Sequence, residues 1–240
     1  MPVHEARLVR RDTVAEGTMA FYFSKPSGFR HEAGQSLLMT IMNPPETDSE
    51  GDARTFTIAS APHENELTIA TRMRDTAFKR VLKTAPIGIS VTIDGPNGEM
   101  VLHDDPARPA VFLAGGIGIT PFLAIVRDAA NRRLPHRLHL FYSNRRQEDA
   151  AFLAELQRTE QANKNYRLIA TMTEAEKSAQ RWTGETGFIR REMLERHLPD
   201  LASPVYYFAG PPAMTMAMQQ MLEAIGVSEQ AMRYEEFYGY

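Results

Sequence analysis

The 240-residue sequence contains no cysteine. That absence excludes disulfide bonds, cysteine nucleophiles, thiolate zinc sites and cysteine-ligated iron–sulfur clusters within these residues. The seven histidines form no His-Glu-x-x-His pattern, so we expect no metal site either. Redox chemistry in this chain would therefore have to use a bound organic cofactor.

Long apolar runs and an excess of basic charge are also missing. No run approaches the ~20 residues that span a bilayer, and the N-terminal residues lack the apolar core of a secretory signal. The net charge is −3, with lysine and arginine scattered among acidic residues. We therefore expect no membrane insertion, no nucleic-acid partner and a cytoplasmic location. The length favours two domains.

Residues 1–104 have the pattern of short alternating strands separated by turn formers, which predicts an antiparallel β-barrel domain. One helix is predicted at 75–85, where an Asp/Thr cap signal precedes Ala77, Val81 and Leu82 on one face. The polar, turn-rich residues 43–53 are expected to form an exposed loop. The predicted strands are 4–14, 18–26, 35–45, 54–60, 66–73 and 89–96.

Residues 105–240 have a different pattern, in which short apolar runs alternate with amphipathic segments. This alternation predicts a parallel α/β domain with a nucleotide site beyond the carboxyl ends of its strands. The predicted strands are 110–115, 137–143, 166–173 and 205–212, and the predicted helices are 121–133, 148–161, 190–198 and 213–226.

A glycine-rich turn, "AGGIGITP", joins the first strand of this second domain to its first helix. Gly115, Gly116 and Gly118 would let the backbone approach a diphosphate, which the free N–H groups of the helix would bind. Pro121 suits the first turn of a helix. Because the pattern differs from Gly-x-Gly-x-x-Gly, a tight turn that binds nothing is an alternative for the motif taken alone.

The strand "RTFTIAS" combines an arginine, an aromatic residue and hydroxyl residues. The arginine, the aromatic residue and a hydroxyl residue stand at alternating positions, so the three side chains would share one face of the strand. A guanidinium beside a flat ring can hold a phosphate and a planar ring system at once. A core phenylalanine next to a surface arginine would explain the same residues.

Taken in order, several short motifs make the chain resemble the ferredoxin–NADP reductase family of two-domain flavoenzymes. The motifs are "RTFT", "TRMRDTAFKRVL", "DGPNGEM", "GGIGITP", "WTGETGFI", "AGPPAM" and "EEFYGY". The resemblance covers nearly the whole chain. It implies a FAD-binding β-barrel followed by an NAD(P)-binding α/β domain, without a built-in iron–sulfur domain.

The resemblance also implies roles on the flavin side. Arg54 corresponds to the arginine that pairs with the flavin diphosphate, Phe56 to the aromatic residue that stacks on the isoalloxazine ring, and Thr57 to the hydroxyl residue near flavin N5. Arg72 and Met73 occupy positions that border the flavin.

Two further parts of the chain would complete the flavin site. Thr76 matches the hydroxyl residue that caps the helix facing the diphosphate. At the C-terminus, the family places an aromatic residue over the flavin and a glutamate nearby for proton delivery. Glu236 and Phe237 are the candidates, with Tyr240 as the alternative stacking ring.

For the nicotinamide side, the matching residues are Gly116, Gly118, Thr120, Pro121, Gly210, Pro211 and Met214. Ala209 stands where the family has a cysteine that helps to position the nicotinamide, a departure that bears on the rate of hydride transfer. Ser143, Arg145 and Arg146 follow the second parallel strand, where they favour the 2′-phosphate of NADPH. The neighbouring Glu148 and Asp149 leave NADH open.

The implied function is a FAD-dependent NAD(P)H oxidoreductase. It would move a hydride from NADPH or NADH to FAD N5 and pass electrons to a separate acceptor protein, such as a ferredoxin or an oxygenase component. One alternative is a reductase of free flavin or another small molecule. Another is a nucleotide-binding regulatory subunit without turnover, which the alanine at position 209 leaves open.

Overall fold

The computed structural model describes residues 3–238. Its first sheet is antiparallel and contains β1 (Val3–Ala15), β2 (Thr18–Ser24), β3 (Ser36–Ile41), β4 (Ala53–Thr57), β5 (Glu66–Arg72) and β6 (Ser90–Asn97). The strand order is β4-β3-β6-β1-β2-β5. Just beyond β4, the Ala59 N–H donates to the Thr68 carbonyl at 2.7 Å, so the two edge strands meet and the sheet curls as predicted.

Helix α1 (Ala77–Thr84) lies between β5 and β6. The Thr76 hydroxyl accepts a hydrogen bond from the Lys79 N–H at 3.4 Å, which confirms the predicted cap. Ala77, Val81 and Leu82 are buried, as the predicted apolar face requires. The polar segment between β3 and β4 is largely exposed, also as predicted.

The second sheet is parallel and contains β7 (Ala110–Gly115), β8 (Leu138–Asn144), β9 (Tyr166–Met172), β10 (Glu185–Thr186), β11 (Val205–Gly210) and β12 (Met232–Glu236). Its order is β10-β9-β8-β7-β11-β12. The helices between its strands are α2 (Thr120–Arg132), α3 (Leu153–Ala162), α4 (Arg191–His197) and α5 (Pro212–Ala224). Every residue of the central strands β7 and β11 is buried, which explains their uninterrupted apolar sequences.

Three elements differ from the sequence prediction, and the first is the two-residue strand β10, which was not predicted and pairs in parallel with β9. Helix α3 begins at Leu153 instead of residue 148, because Phe152 adopts a left-handed conformation with φ of 60°. Residues 232–236, expected as part of a tail, form β12 and pair in parallel with β11.

The two sheets pack against one another through Arg127 on α2. Its guanidinium donates to both carboxylate oxygens of Glu155 at 2.6 and 2.8 Å and to the Ala59 carbonyl at 3.2 Å. One apolar cluster also runs across the junction, from Ala59 and Met100 to α2. The domain boundary between residues 104 and 105 stays a prediction and falls in the segment that joins β6 to β7. Among residues 3–238, no helix is both long and apolar enough to cross a membrane.

Candidate active site

A cavity of about 1110 Å³ lies at the carboxyl ends of β7, β8 and β11, where they face the end of β5. This is the edge at which parallel α/β sheets bind ligands. Eight of its lining residues are among those expected from the sequence: Arg72, Met73, Gly116, Ser143, Arg145, Pro211 and Met214, together with Gly115 of the same turn. Both sheets therefore contribute to one cavity.

The glycine turn reaches the cavity only at its beginning. Gly116 lines the cavity with a φ of +53°, and it opens a 3-10 turn that runs to Ile119 and leads into α2. A Cβ at Gly118 would lie 2.2 Å from the Ala209 carbonyl oxygen and 2.8 Å from the Gly210 nitrogen. Gly118 thus allows the turn to touch the end of β11.

Thr120 and Pro121, at the end of the motif, support the turn on the side away from the cavity. Thr120 is 1% exposed, and its hydroxyl donates to the Ile117 carbonyl at 3.1 Å. Pro121 is buried in the first turn of α2. Neither belongs to the cavity lining, so the structure places both behind the surface that a ligand would touch.

The opposite wall comes from the end of β11 and the start of α5. The Met214 sulfur would lie 2.3 Å from a Cβ at Gly115 and 3.1 Å from one at Gly210, so the two glycines and the thioether are in close contact. Ala209 is fully buried, and its carbonyl is the group that meets Gly118. The position that carries cysteine in the family therefore lies directly beneath the turn.

Several cations face the cavity. Within the described part of the chain, the side chains of Arg72, Arg74 and Arg190 form no ion pair, and all three line the cavity. Unpaired guanidinium groups of this kind favour a ligand that carries phosphates. Arg74 and Arg190 were not among the residues expected from the sequence. The Arg-Arg pair that follows "TGFI" was the available signal for Arg190.

Arg145 and Arg146 have different surroundings. Arg146 donates to Asp149 at 3.1 Å from two of its nitrogens and to Glu16 at 3.0 Å, so it ties α/β residues to the barrel. Arg145 is 57% exposed in its side chain and lies 3.8 Å from Asp149. Only Arg145 of the two lines the cavity.

A second cluster of cations surrounds the start of α1. The Arg54 side chain is 17% exposed and lies over the Phe78 ring at 5.3 Å. The Lys79 ammonium donates to the Arg72 carbonyl at 2.7 Å. Burial, followed by the nearby charges of Arg74 and Arg54, lowers the pKa of Lys79 to about 8. The cluster has the charge and the helix N–H groups that a diphosphate requires.

Phe56 and Thr57 lie at the end of β4, next to this cluster. The Phe56 ring is 9% exposed and packs at a tilt against Phe78, with 5.8 Å between ring centroids. Thr57 is 7% exposed, and its hydroxyl forms no hydrogen bond with another residue in the range 3–238. Thr57 is nearly buried as a residue, but its hydroxyl oxygen is not enclosed by the protein, so it fits a position beside a polar ligand atom.

The register of β12 separates the two C-terminal glutamates. Glu235 pairs with Ala209 and Glu236 with Gly210, so their side chains leave opposite faces of the sheet. The Glu236 carboxylate accepts from the Thr215 hydroxyl at 3.3 Å and from the Tyr238 hydroxyl, on the α5 side. This direction leads away from the barrel.

Glu235 points toward the barrel instead. Its Oε1 would lie 3.5 Å from a Cβ at Gly98, which follows β6. Burial raises the pKa of the Glu235 carboxyl. Sequence reasoning assigned the acidic role to Glu236, because adjacent glutamates cannot be told apart without the register.

Phe237 follows β12 and is anchored to β11. Its N–H donates to the Gly210 carbonyl at 2.9 Å, and its half-buried ring packs against the apolar cluster that contains Ala209. The alternative stacking residue, Tyr240, lies outside the described residues.

Comparison with known proteins agrees with this architecture. Residues 112–220 match the family model "Oxidoreductase NAD-binding domain". The glycine betaine monooxygenase reductase subunit of Chromohalobacter salexigens is 26% identical over 98% of this chain and 64% of its own length. NADH-cytochrome b5 reductase 1 of Neosartorya fischeri is 31% identical over 63% of this chain and 50% of its own length. The chain thus spans less than two thirds of these relatives.

Solved structures share the complete two-sheet arrangement. A ferredoxin reductase in carbazole 1,9a-dioxygenase has a TM-score of 0.83 and 22% identity, over 99% of this chain and 70% of that chain. A ferredoxin NADP+ reductase from Neisseria gonorrhoeae, with bound FAD and NADP, has a TM-score of 0.79 and 19% identity, over 98% of both chains.

A curled antiparallel sheet that packs on a parallel α/β sheet, with a basic cavity between them, is the two-domain fold that this chain shares with the reductases in these solved structures. Residues 112–220 match the NAD-binding domain of oxidoreductases, and the fold of the whole chain is shared with a ferredoxin NADP+ reductase.

Proposed function

We propose that this chain is a FAD-dependent NAD(P)H oxidoreductase that passes electrons to a separate acceptor. The observation that carries the proposal is the junction of two anion sites. A basic cavity at the carboxyl ends of the parallel strands continues, through Arg72 and Met73, toward the cationic start of α1. Two phosphate-bearing cofactors need two such sites that meet at their reactive ends.

The barrel residues fit a flavin. Arg54 and the N-terminus of α1, capped by Thr76, supply donors for the diphosphate. The unpartnered Thr57 hydroxyl would lie beside the ring nitrogens, and Phe56 would contact the ring through the small part of its surface that is exposed. FAD, when bound, supplies the hydride chemistry and the exchange between two-electron and one-electron transfer.

The α/β residues fit a nicotinamide nucleotide. Gly116 and Pro211 would hold its diphosphate and nicotinamide ends between β7 and β11, with Met214 behind them. Gly118, Thr120 and Gly210 would act by fixing the shape of the turn. Arg145 would meet a 2′-phosphate because it is open to the cavity, which supports NADPH as the preferred coenzyme.

Glu235 is the better candidate for a proton-holding residue than Glu236. It shares a sheet face with Ala209 and approaches Gly98, which lies beside the paired strands that end at Ser36 and Thr57. Its raised pKa allows the carboxyl to hold a proton closer to neutral pH than a solvated glutamate would. Phe237 would cover the flavin from the same face.

The acceptor is proposed to be a protein. Two of the similar proteins are described as a monooxygenase reductase subunit and as a ferredoxin reductase in a dioxygenase. We propose an acceptor of the same kind, either an oxygenase component or a ferredoxin-like carrier.

Anaerobic stopped-flow reduction tests the proposal. The purified protein, loaded with FAD, is mixed with NADPH or NADH, and the visible absorption band of oxidised flavin is followed. We expect rapid bleaching with NADPH and slower bleaching with NADH. Bleaching with neither nucleotide would refute the oxidoreductase function and favour a regulatory subunit. Protein that never retains stoichiometric flavin, but reduces it in turnover, would identify flavin as a substrate.

A further inference from the structure

An acidic loop lies against the proposed site for the flavin diphosphate. Residues 43–52, between β3 and β4, contain four acidic residues and no basic residue. Three of the four carboxylates reach the barrel. Glu46 pairs with Arg80 at 2.7 Å, Glu50 pairs with Arg54 at 2.9 Å, and Asp48 contacts the start of α1.

Asp48 occupies the donors that the diphosphate would use. One carboxylate oxygen accepts from the Ala77 N–H, the first residue of α1, at 2.6 Å. The other oxygen lies 3.7 Å from the Arg54 guanidinium and accepts from the Glu50 N–H at 2.9 Å. A carboxylate at a helix N-terminus beside an arginine is arranged as a bound phosphate oxygen would be.

The loop also accepts hydrogen bonds from the other terminal nitrogen of Arg54. Its Nη1 donates to the carbonyls of Glu50 and Ala53, each at 2.7 Å. The donors of Arg54 are therefore turned toward the loop. A diphosphate that bound the two terminal nitrogens, Nη1 and Nη2, would have to replace these bonds, whereas the Nε–H of Arg54 forms no hydrogen bond among residues 3–238.

We propose that Asp48 is an internal competitor for the flavin diphosphate, so that flavin binding must displace its carboxylate from Ala77 and Arg54 and move residues 43–52. This inference rests on the proposed flavin function. The loop sets how tightly the phosphate-bearing part of the flavin is held. It leaves the ring contacts unchanged, because they lie at Phe56 and Thr57.

Flavin titration of the full-length apoprotein tests the competition. FAD or riboflavin is added at low ionic strength to the wild type, Asp48→Ala and the control Asp52→Ala, and flavin fluorescence is followed. Asp52 is on the same loop with the same charge, and its exposed side chain forms no hydrogen bond or ion pair among residues 3–238. We expect Asp48→Ala to bind FAD about fivefold more tightly, the scale of one exposed charge contact. Asp52→Ala should match the wild type.

Riboflavin separates the phosphate site from the ring site. Because riboflavin has no phosphate, its affinity should be the same in all three proteins. An equal gain for riboflavin, or no gain for FAD in Asp48→Ala, would overturn the role of Asp48. If none of the proteins binds any flavin, the proposed function itself fails.

Hydrogen exchange gives a readout that is independent of affinity. The Glu50 and Gly51 N–H groups are held by the Asp48 carboxylate and carbonyl, respectively. In the wild type, FAD should accelerate amide exchange across residues 43–52 as the loop leaves α1. Slower exchange there would mean that the loop closes over the flavin, which contradicts displacement.

Discussion

Replacing Gly118 with alanine tests whether the glycine turn is held by its contact with β11. The added Cβ would lie 2.2 Å from the Ala209 carbonyl oxygen and 2.5 Å from the carbonyl carbon. Even tight contacts of a Cβ are seldom below 3.0 Å, so the turn or the strand must move by close to 1 Å. Both neighbours are backbone at the centre of a buried sheet. Overpacking of this kind costs about 3 kcal/mol.

Gly115→Ala is a matched control in the same turn. Its Cβ would meet the Met214 sulfur at 2.3 Å, but a flexible thioether can rotate away, so we expect a loss of about 1 kcal/mol. For a chain of this size, 1 kcal/mol corresponds to about 2–4 °C in Tm. Thermal denaturation should therefore place Gly118→Ala well below Gly115→Ala. Equal values of Tm for the two variants would refute the assigned contact.

One contact at the domain junction and one at the site lead to further predictions. Arg127→Met removes the charge between the sheets and should lower the free energy of unfolding by about 2–3 kcal/mol in denaturant titrations, because the side chain is 18% exposed. The exposed Arg7→Met, which removes a pair with the similarly exposed Glu5, should cost less than about 0.5 kcal/mol, and an equal loss in both would contradict the assignment. Glu235→Gln should change the pH dependence of Tm. Burial raises the folded-state pKa of Glu235, so the wild type loses stability as the pH rises through and above 4.5, while glutamine does not ionise. The Tm of the variant should therefore rise relative to the Tm of the wild type between pH 4 and pH 7. If the two profiles of Tm against pH run parallel, the carboxyl is solvated.

The six strands of the first sheet and four of the six in the second could be predicted, because their apolar pattern is a local property of the sequence. Alternation marked β1 to β6, and continuous apolar runs marked β7 and β11. Strand β12 was not predicted, because its sequence "MRYEE" has no apolar face. It forms only by pairing with β11 at the edge of the sheet. Tertiary pairing decided its conformation.

Site residues could be predicted where they belong to a recognisable motif. They could not be predicted where the three-dimensional structure decides which of two adjacent residues faces the site. The order of motifs led to Arg72, Gly116 and Pro211, which do line one cavity. The choice of Glu235 over Glu236 depends on strand register, which reverses the face at every residue. The contact of Asp48 with α1 joins a patternless loop to a helix 29 residues away. No local signal in the sequence could have indicated it.

Adjacent arginines after β8 give the sharpest test of coenzyme choice. Arg145 is open to the cavity, whereas Arg146 is held by Asp149 and Glu16. If Arg145 pairs with a 2′-phosphate, Arg145→Ala should raise the KM for NADPH about tenfold, the effect of one charge-assisted hydrogen bond. The KM for NADH, which has no such phosphate, should stay the same.

Arg146→Ala supplies the control for that experiment. Its loss leaves the nearly buried Asp149 carboxylate, 3% exposed, with the backbone N–H of residue 146 and the more distant Arg145, so the free energy of unfolding should fall. The ratio of the KM values for NADPH and NADH should not change, because the Arg146 guanidinium faces the barrel. Steady-state kinetics with both nucleotides measure the two effects. If Arg145→Ala raises both KM values equally, Arg145 binds a group common to the two coenzymes and the preference for NADPH has another source.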